Sequence, residues 1–131
     1  MPKHKILVVD DEVDFTKLIK SNLEETGKYE VLALLDANDI ISQVHIFKPD
    51  IILLDIIMPG IKGIEVCEML NNDVIGKAIP IIILSALDKN VDKYKAFRAG
   101  VVDYMGKPIG IEKLIAKIDK HIQFKQRTEG Q

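Results

Sequence analysis

The residues best suited to chemistry are three aspartates that follow short apolar runs. Asp10 and Asp11 come directly after Ile6–Val9, and Asp55 comes directly after Ile51–Leu54. A carboxylate beside a buried strand is costly unless it is paired or binds a cation. Carboxylates close together also repel one another, and Mg²⁺ removes that conflict because it accepts one or two carboxylates and keeps several waters. The three aspartates therefore predict a Mg²⁺ site.

Two further polar residues follow apolar runs later in the chain. Ser85 ends the run that begins at Ile81, and Lys107 follows the run at Val101. A lysine ammonium is a point charge suited to phosphate oxygens, and the serine adds a hydroxyl donor. With a metal and a carboxylate, they indicate phosphoryl transfer through an aspartyl phosphate. Asp55 lies centrally among these residues and is the predicted nucleophile.

The apolar runs predict the strands that position these side chains. Five short runs rich in Ile, Val and Leu begin at Ile6, Val31, Ile51, Ile81 and Val101. Most lack alternation, which is typical of parallel strands covered on both faces. A helical pattern follows each run, so the sequence predicts five strand–helix units in a doubly wound α/β sheet. The flavodoxin-like order 2-1-3-4-5 brings the polar strand ends to one rim, where ligands bind in such folds.

Apolar residues three or four apart predict the five helices. The predicted buried stripes include Phe15 and Leu18 in the first helix and Met69 in the third. The fourth helix is predicted around Val91–Arg98, and Gly27 and Gly100 are predicted helix stops.

Composition limits the class of protein. The 131 residues are 47% hydrophobic, which fits one globular domain, and the net charge of −2 gives no reason to expect direct nucleic-acid binding. The apolar run after Lys3 and Lys5 is too short for a signal or membrane segment, so we expect a cytoplasmic protein without membrane association. The single cysteine, Cys67, fits a reducing compartment and is expected to be buried and inert.

Four motifs occur in a fixed order, each at the end of a predicted strand: VVDDE, LLDIIMPG, LSA and DYMGKP. In order and spacing they resemble the receiver domain of two-component response regulators. The resemblance extends from Ile6 to about Phe124. We therefore expect residues 1–124 to form the receiver domain and residues 125–131 to be a frayed tail or the start of a linker.

The resemblance implies a phosphoryl and metal site. Asp55 would accept the phosphoryl group. The Mg²⁺ ligands would be Asp55, Asp11 directly, Asp10 through water, and the backbone carbonyl of Ile57. Taken without the resemblance, Asp10 and Asp11 could instead cap the first helix, because Asp is a favoured N-cap.

The resemblance also implies a switch. Ser85 would follow the phosphate by hydrogen bonding, and Lys107 would pair with the phosphoryl oxygens. Tyr104 would move inward as Ser85 shifts, although simple packing is the alternative interpretation of Tyr104. The surface of the fourth helix, fifth strand and fifth helix would then change, and its expected members include Lys89, Lys93, Tyr94, Met105 and Ile111.

The implied partners follow from this chemistry. The phosphoryl donor would be a sensor histidine kinase or a histidine phosphotransfer protein, and activation could produce a homodimer. The domain would not be an enzyme, because it would catalyse only its own phosphorylation and dephosphorylation. The sequence does not identify the output domain or target protein. Ser85 stands where the family more often has Thr, and Lys62 where it often has Asp; neither change is expected to alter the chemistry.

Three other functions compete with this one. A degenerate receiver would act only as a docking module, which the complete set of acids, hydroxyl and lysine argues against. A dehalogenase-type phosphatase would need an aspartate two residues after the nucleophile, where Ile57 stands. A flavodoxin would need a Ser/Thr-rich phosphate loop after the first strand, and here that loop is acidic.

Overall fold

Five parallel strands form one sheet of order β2-β1-β3-β4-β5. The computed structural model describes residues 2–56, 63–86 and 99–129, with the side chains of residues 86 and 124–129 left out of the description. The strands are β1 His4–Val9, β2 Tyr29–Leu34, β3 Ile51–Leu54, β4 Ile81–Ala86 and β5 Val101–Lys107. The predicted strand order and the flavodoxin-like α/β fold are therefore confirmed.

Four α-helices lie in the described part of the chain. They are α1 Val13–Glu25, α2 Ile40–Phe47, α3 Gly63–Asn71 and the C-terminal helix Ile111–Glu129, with a short 3-10 turn at Gly76–Ala78. The helix predicted around Val91–Arg98 lies outside the described residues. The C-terminal helix continues past Phe124, so part of the predicted tail has a helical backbone, and the division at residue 124 stays a prediction.

The helices cover both faces of the sheet. α2 and α3 pack on one face through residues such as Val44 and Cys67, and we call the buried cluster there the α2/α3 core. α1 and the C-terminal helix pack on the other face through residues such as Leu23 and Leu114, and we call this cluster the α1/C-terminal core. Because successive side chains of a strand point to opposite faces, each strand supplies both cores, which explains why its sequence shows no polar alternation.

Two predicted members of the buried helix stripes face solvent instead. Leu18 is 59% exposed and Met69 is 40% exposed. In α1 the buried row is Thr16, Ile19 and Leu23, and the Thr16 hydroxyl donates to the Val13 carbonyl at 2.8 Å. That local hydrogen bond lets a polar residue occupy the buried row, which turns Leu18 outward. The prediction was wrong because hydrophobicity alone does not fix the phase of a helix.

The glycine after α1 ends this helix as predicted. Thr26 is the C-cap, and Gly27 has φ +78°, the left-handed conformation that glycine adopts without a Cβ penalty. Gly100, just before β5, has φ +95° for the same reason.

A β-bulge in β5 changes which way the end of this strand faces. Ile81 pairs with Val101 but Ile82 pairs with Asp103, so Val102 is an extra residue in the ladder. Val101 belongs to the α2/α3 core, whereas Met105 belongs to the α1/C-terminal core. Without an extra residue these two positions would face the same side, because side chains alternate with a period of two. The bulge therefore turns the last residues of β5 toward α1.

Polar contacts fix β5 against the C-terminal helix. The Asp103 carboxylate accepts hydrogen bonds from Lys117 Nζ at 3.0 Å and lies 3.0 Å from His121 Nε2. Burial opposes ionisation of Asp103, but these hydrogen bonds outweigh it, so the pKa of Asp103 is below its ordinary value.

The start of α3 tolerates no side chain. A Cβ added at Gly63 would lie 2.3 Å from the Ile56 Cα, which is a backbone atom. We expect Gly63→Ala to lower the free energy of unfolding by about 2–3 kcal/mol, because backbone must shift to make room. Urea denaturation followed by circular dichroism measures this. Gly110→Ala is the matched control, because a Cβ there meets nothing within 4 Å; an equal loss in both variants would contradict the explanation.

Candidate functional site

The carboxyl ends of the strands bring the predicted residues to one rim. Asp55 N donates to the Val9 carbonyl at 3.0 Å, and Asp10 N donates to the Leu34 carbonyl at 3.0 Å. The parallel ladders therefore continue one residue beyond β1 and β3. They fix both aspartates at the ends of neighbouring strands. Strand-end pairing is the physical reason why residues far apart in sequence meet here.

The three predicted aspartates form one cluster. Asp10, Asp11 and Asp55 each offer a carboxylate oxygen, and these atoms all lie within 4.8 Å of one another. Asp10 is 1% exposed and Asp55 is 4% exposed, whereas Asp11 faces solvent. Hard oxygen donors, two of them buried and one open to water, suit a divalent cation that keeps part of its hydration. The residues present therefore fit Mg²⁺.

Lys107 reaches into this cluster from β5. Its Nζ lies 2.6 Å from Asp10 Oδ2, 3.5 Å from Asp55 Oδ2 and 3.5 Å from Glu12 Oε1. Its side chain is 12% exposed, so the ammonium is held largely out of water. Lys107 therefore lies close to the aspartates, as the sequence predicts.

The charges at the rim do not balance. Burial is the main cause that raises the pKa of Asp10, and the charge of Asp55 adds to it, despite the hydrogen bonds from Lys107 and from the Glu12 amide. For Lys107 burial acts to lower the pKa, but the hydrogen bond to Asp10 and the nearby carboxylate charges outweigh it, so the pKa is raised. One ammonium thus faces several carboxylates, and a further cation would be stabilised there.

Ser85 is a buried hydroxyl without a partner in the described part of the structure. It is 0% exposed, and its Oγ has no hydrogen-bond partner among residues 2–56, 63–86 and 99–129. An unsatisfied buried polar group costs about 1–3 kcal/mol, so such groups are commonly completed by a ligand or water. A ligand with acceptor oxygens at the rim would supply that partner.

The rim is built from both faces of the sheet. Asp10, Asp55 and Lys107 continue the alternation of the strand residues that point toward α1 and the C-terminal helix. Ser85 continues that of Ile83 in the α2/α3 core, against which half-buried Tyr104 also packs. A group placed between Asp55 and Ser85 would therefore touch both sides of the sheet at once.

Sequence reasoning missed one residue at this rim. The ring centroid of Phe15 lies 4.1 Å from Lys107 Nζ, although the sequence predicts Phe15 only as part of a buried stripe. Its position could have suggested it, because Phe15 lies in the first turn of α1, directly after the loop that holds Asp10 and Asp11.

Asp10 and Asp11 do not cap the first helix. The N-cap of α1 is Glu12, whose side chain makes no capping hydrogen bond. Asp10 Oδ1 instead accepts from the Glu12 amide at 2.9 Å within the loop. The alternative interpretation of Asp10 and Asp11 as caps is therefore wrong.

Some of the predicted residues lie away from the rim or outside the described part of the chain. Ile57, Lys62 and the surface residues Lys89, Lys93 and Tyr94 are not among the described residues. Met105 is 9% exposed and lies in the α1/C-terminal core, so its predicted place on an exposed partner surface is wrong. Both faces of the sheet are covered, so Met105 is buried on either side, and the bulge at Val102 decides that it joins the α1/C-terminal core. Cys67 is buried as predicted, and burial raises the pKa of its thiol to about 12.

No helix in the three described ranges has the length and apolar character that crossing a lipid bilayer requires.

Solved structures of known proteins share this fold. The receiver domain of Francisella response regulator 1452 is 30% identical, covering 92% of this chain and 98% of that one, with a TM-score of 0.81. A two-component response regulator from Clostridium difficile is 26% identical, covering 92% and 97%, with a TM-score of 0.84. A receiver domain protein from Methanospirillum hungatei JF-1 is 23% identical over 97% and 99%, and its TM-score of 0.89 shows the same fold.

The sequence also matches the profile of a known family over residues 6–119, which include every strand end described above. That family is the response regulator receiver domain, and this chain, with the acids, hydroxyl and lysine gathered at one rim, belongs to it.

Proposed function

We propose that this receiver domain is a phosphorylation-dependent switch whose Asp55 accepts a phosphoryl group from a sensor histidine kinase or a histidine phosphotransfer protein. A carboxylate oxygen of Asp55 would attack phosphorus, the phosphorus–nitrogen bond of the phosphohistidine would break, and the histidine ring would leave with that bonding pair and take up a proton from water to become a neutral imidazole. The observation that carries the proposal is the position of Asp55, which is buried within the carboxylate cluster and 3.5 Å from Lys107 Nζ.

The direct test uses acetyl phosphate and Mg²⁺ in place of the unidentified kinase. Intact-mass measurement of the protein should show one phosphoryl adduct. Release of free phosphate over many turnovers, with no adduct accumulating, would instead favour a phosphatase. We propose that the domain is not an enzyme in that sense and that it only gains and loses its own phosphoryl group.

Mg²⁺ is the proposed cofactor. Asp10, Asp11 and Asp55 would hold it, together with the carbonyl of Ile57 that the family resemblance implies, and it would supply positive charge for the phosphoryl oxygens. Asp11 is the exposed member of the cluster, so replacing it disturbs little packing.

Mg²⁺ should stabilise the folded protein, because it relieves repulsion among the three carboxylates. At a concentration about 100 times its Kd, the free energy of unfolding should rise by about 2.7 kcal/mol. A thermal melt in Mg²⁺ and in EDTA measures this, and Asp11→Asn should reduce the shift. The control is Asp36→Asn, an exposed aspartate at the end of β2 outside the cluster.

The same comparison of melting temperatures in Mg²⁺ and in EDTA separates a phosphorylation-dependent switch from a degenerate receiver. A degenerate receiver that acts only as a docking module would melt at the same temperature in Mg²⁺ and in EDTA. An undiminished shift in Asp11→Asn would contradict the proposed ligand set.

The proposed switch couples Asp55 to the other face of the sheet. A phosphoryl group on Asp55 adds charge and strong acceptor oxygens at the rim. Ser85, buried and without a partner among the described residues, would donate its hydroxyl to one of these oxygens, while Lys107 would pair with another. Tyr104 packs against the same core as Ser85, so a shift of Ser85 changes the space available to the Tyr104 ring. The surface around β5 and the C-terminal helix would then differ between two states.

A further inference from the structure

The ammonium of Lys107 lies between an aromatic ring and a set of carboxylates. On one side the Phe15 ring centroid is 4.1 Å from Nζ. On the other side Asp10 Oδ2 is 2.6 Å away, with Asp55 Oδ2 at 3.5 Å. A cation within about 6 Å of a ring centroid is attracted by the ring quadrupole, most strongly where water is excluded. The Lys107 side chain is 12% exposed, so this cation–π contact is largely shielded from water and is among the stronger contacts of its kind.

Lys107 needs such support, because a lysine side chain is flexible and its ammonium is a compact charge with rotatable donors. Its present hydrogen bond is to Asp10, whereas the proposed phosphoryl oxygens would stand at Asp55. The ammonium must therefore exchange one hydrogen-bond partner for another. A ring face attracts a cation without demanding a particular hydrogen-bond direction, so the contact can persist through that exchange.

We propose that Phe15 is a positioning residue that keeps the Lys107 ammonium at the rim, ready for the phosphoryl oxygens on Asp55, and that it thereby sets the rate of phosphorylation. This inference rests on the proposed phosphorylation of Asp55. In this role Phe15 acts through the Lys107 ammonium that its ring contacts.

The first test compares the wild-type protein with two variants in phosphorylation by acetyl phosphate and Mg²⁺, followed by intact mass. Phe15→Leu keeps an apolar side chain but removes the ring, and the rate at saturating donor should fall about fivefold. Phe15→Tyr restores a ring and should return the rate close to that of the wild-type protein. Mg²⁺ affinity, from the melting shift, should be the same in all three proteins, because the ring is assigned no contact with Mg²⁺.

The matched control is another ring beneath a lysine. Lys5 Nζ lies 5.4 Å from the Phe47 ring centroid, at the opposite end of the sheet from the rim. Phe47→Leu should therefore cost some stability and leave the phosphorylation rate unchanged. An equal slowing in Phe47→Leu and Phe15→Leu would show a general packing effect and overturn the positioning role.

A double-mutant cycle tests whether Phe15 acts through Lys107. In a Lys107→Met background, Phe15→Leu should slow phosphorylation no further. A full fivefold loss in that background, or a Phe15→Leu protein as fast as the wild type, would overturn the inference and leave the proposed function intact. If the wild-type protein gained no adduct at all, the proposed function would fall, and this role of Phe15 with it.

The position of the ring has its own readout. The Lys107 Hε protons should show an upfield ring-current shift by NMR in the wild-type protein, and Phe15→Leu should remove it. An unshifted resonance in the wild-type protein would overturn the contact itself, whatever the rate of phosphorylation.

Discussion

Asp55→Asn should eliminate the phosphoryl adduct that we expect the wild-type protein to gain from acetyl phosphate and Mg²⁺. The amide has nearly the same shape as the carboxylate but lacks an anionic oxygen that could attack phosphorus. Asp10 is not expected to take over as acceptor, because both of its oxygens already accept hydrogen bonds, Oδ2 from Lys107 Nζ at 2.6 Å and Oδ1 from the Glu12 amide. Intact-mass measurement should therefore detect no adduct on this variant, which is the largest effect expected of any single substitution.

The same variant should fold. Asp55 is 4% exposed and close to the Asp10 carboxylate, so neutralising it relieves repulsion rather than leaving a charge unpaired. Without Mg²⁺, the free energy of unfolding of Asp55→Asn should equal or exceed that of the wild-type protein. Asp36→Asn, which lies at a strand end outside the cluster, should be phosphorylated normally. An adduct on Asp55→Asn, with the protein folded, would refute Asp55 as the acceptor.

The position of the aspartates could be predicted from sequence because two strong signals agree. Ile6–Val9 and Ile51–Leu54 are apolar throughout, as strands buried on both faces must be, and each ends abruptly at a carboxylate. Parallel pairing of β1 with β3 then leaves little freedom, since the ends of adjacent strands must meet. Asp10 and Asp55 are neighbours for that reason alone.

The face on which Lys107 lies could not be predicted in this way. The period of two is interrupted at Val102, and nothing in the residues of β5 identifies Val102 as a bulge before its pairing with β4 is known. Counting regularly from Val101 would place Met105 and Lys107 on the α2/α3 side, away from Asp10. The predicted strand order placed Lys107 at the same rim as the aspartates, and the bulge decides on which face of the sheet its side chain lies.

The side of each helix that faces the core was also difficult to predict from the sequence. Leu18 and Met69 are more hydrophobic than Thr16, yet they are exposed while Thr16 is 2% exposed. The buried row is decided by the way α1 and α3 meet the sheet, which depends on the whole core, and not by the hydrophobicity of individual residues. The contact of Phe15 with Lys107 was not predicted for a related reason. An apolar residue on a predicted core stripe is normally assigned to packing alone.

Lys107→Met should slow phosphorylation of Asp55 by about 100-fold, the loss typical of removing one preorganised group that stabilises developing negative charge. Methionine preserves much of the length and apolar stem of the side chain while removing the ammonium. The variant also leaves Asp10, 1% exposed, without its 2.6 Å partner. Breaking a buried pair in this way costs about 3 kcal/mol of stability, and Mg²⁺ should recover part of it by taking over the neutralisation. Intact-mass kinetics and urea denaturation, each with and without Mg²⁺, measure both effects.

Lys117→Met provides the comparison, because it breaks another lysine–aspartate pair that involves β5. Lys117 also bonds an aspartate of β5, Asp103, at 3.0 Å, but its side chain is 36% exposed and this pair is not part of the carboxylate cluster. Its loss should cost less than about 1 kcal/mol, as for an ion pair open to solvent, and leave phosphorylation at the wild-type rate. If both variants slowed phosphorylation alike, the effect of Lys107 would come from weakening β5 and its helix. If Lys107→Met alone slowed it and Mg²⁺ restored its stability without its rate, the ammonium itself would be the group that the phosphoryl oxygens require.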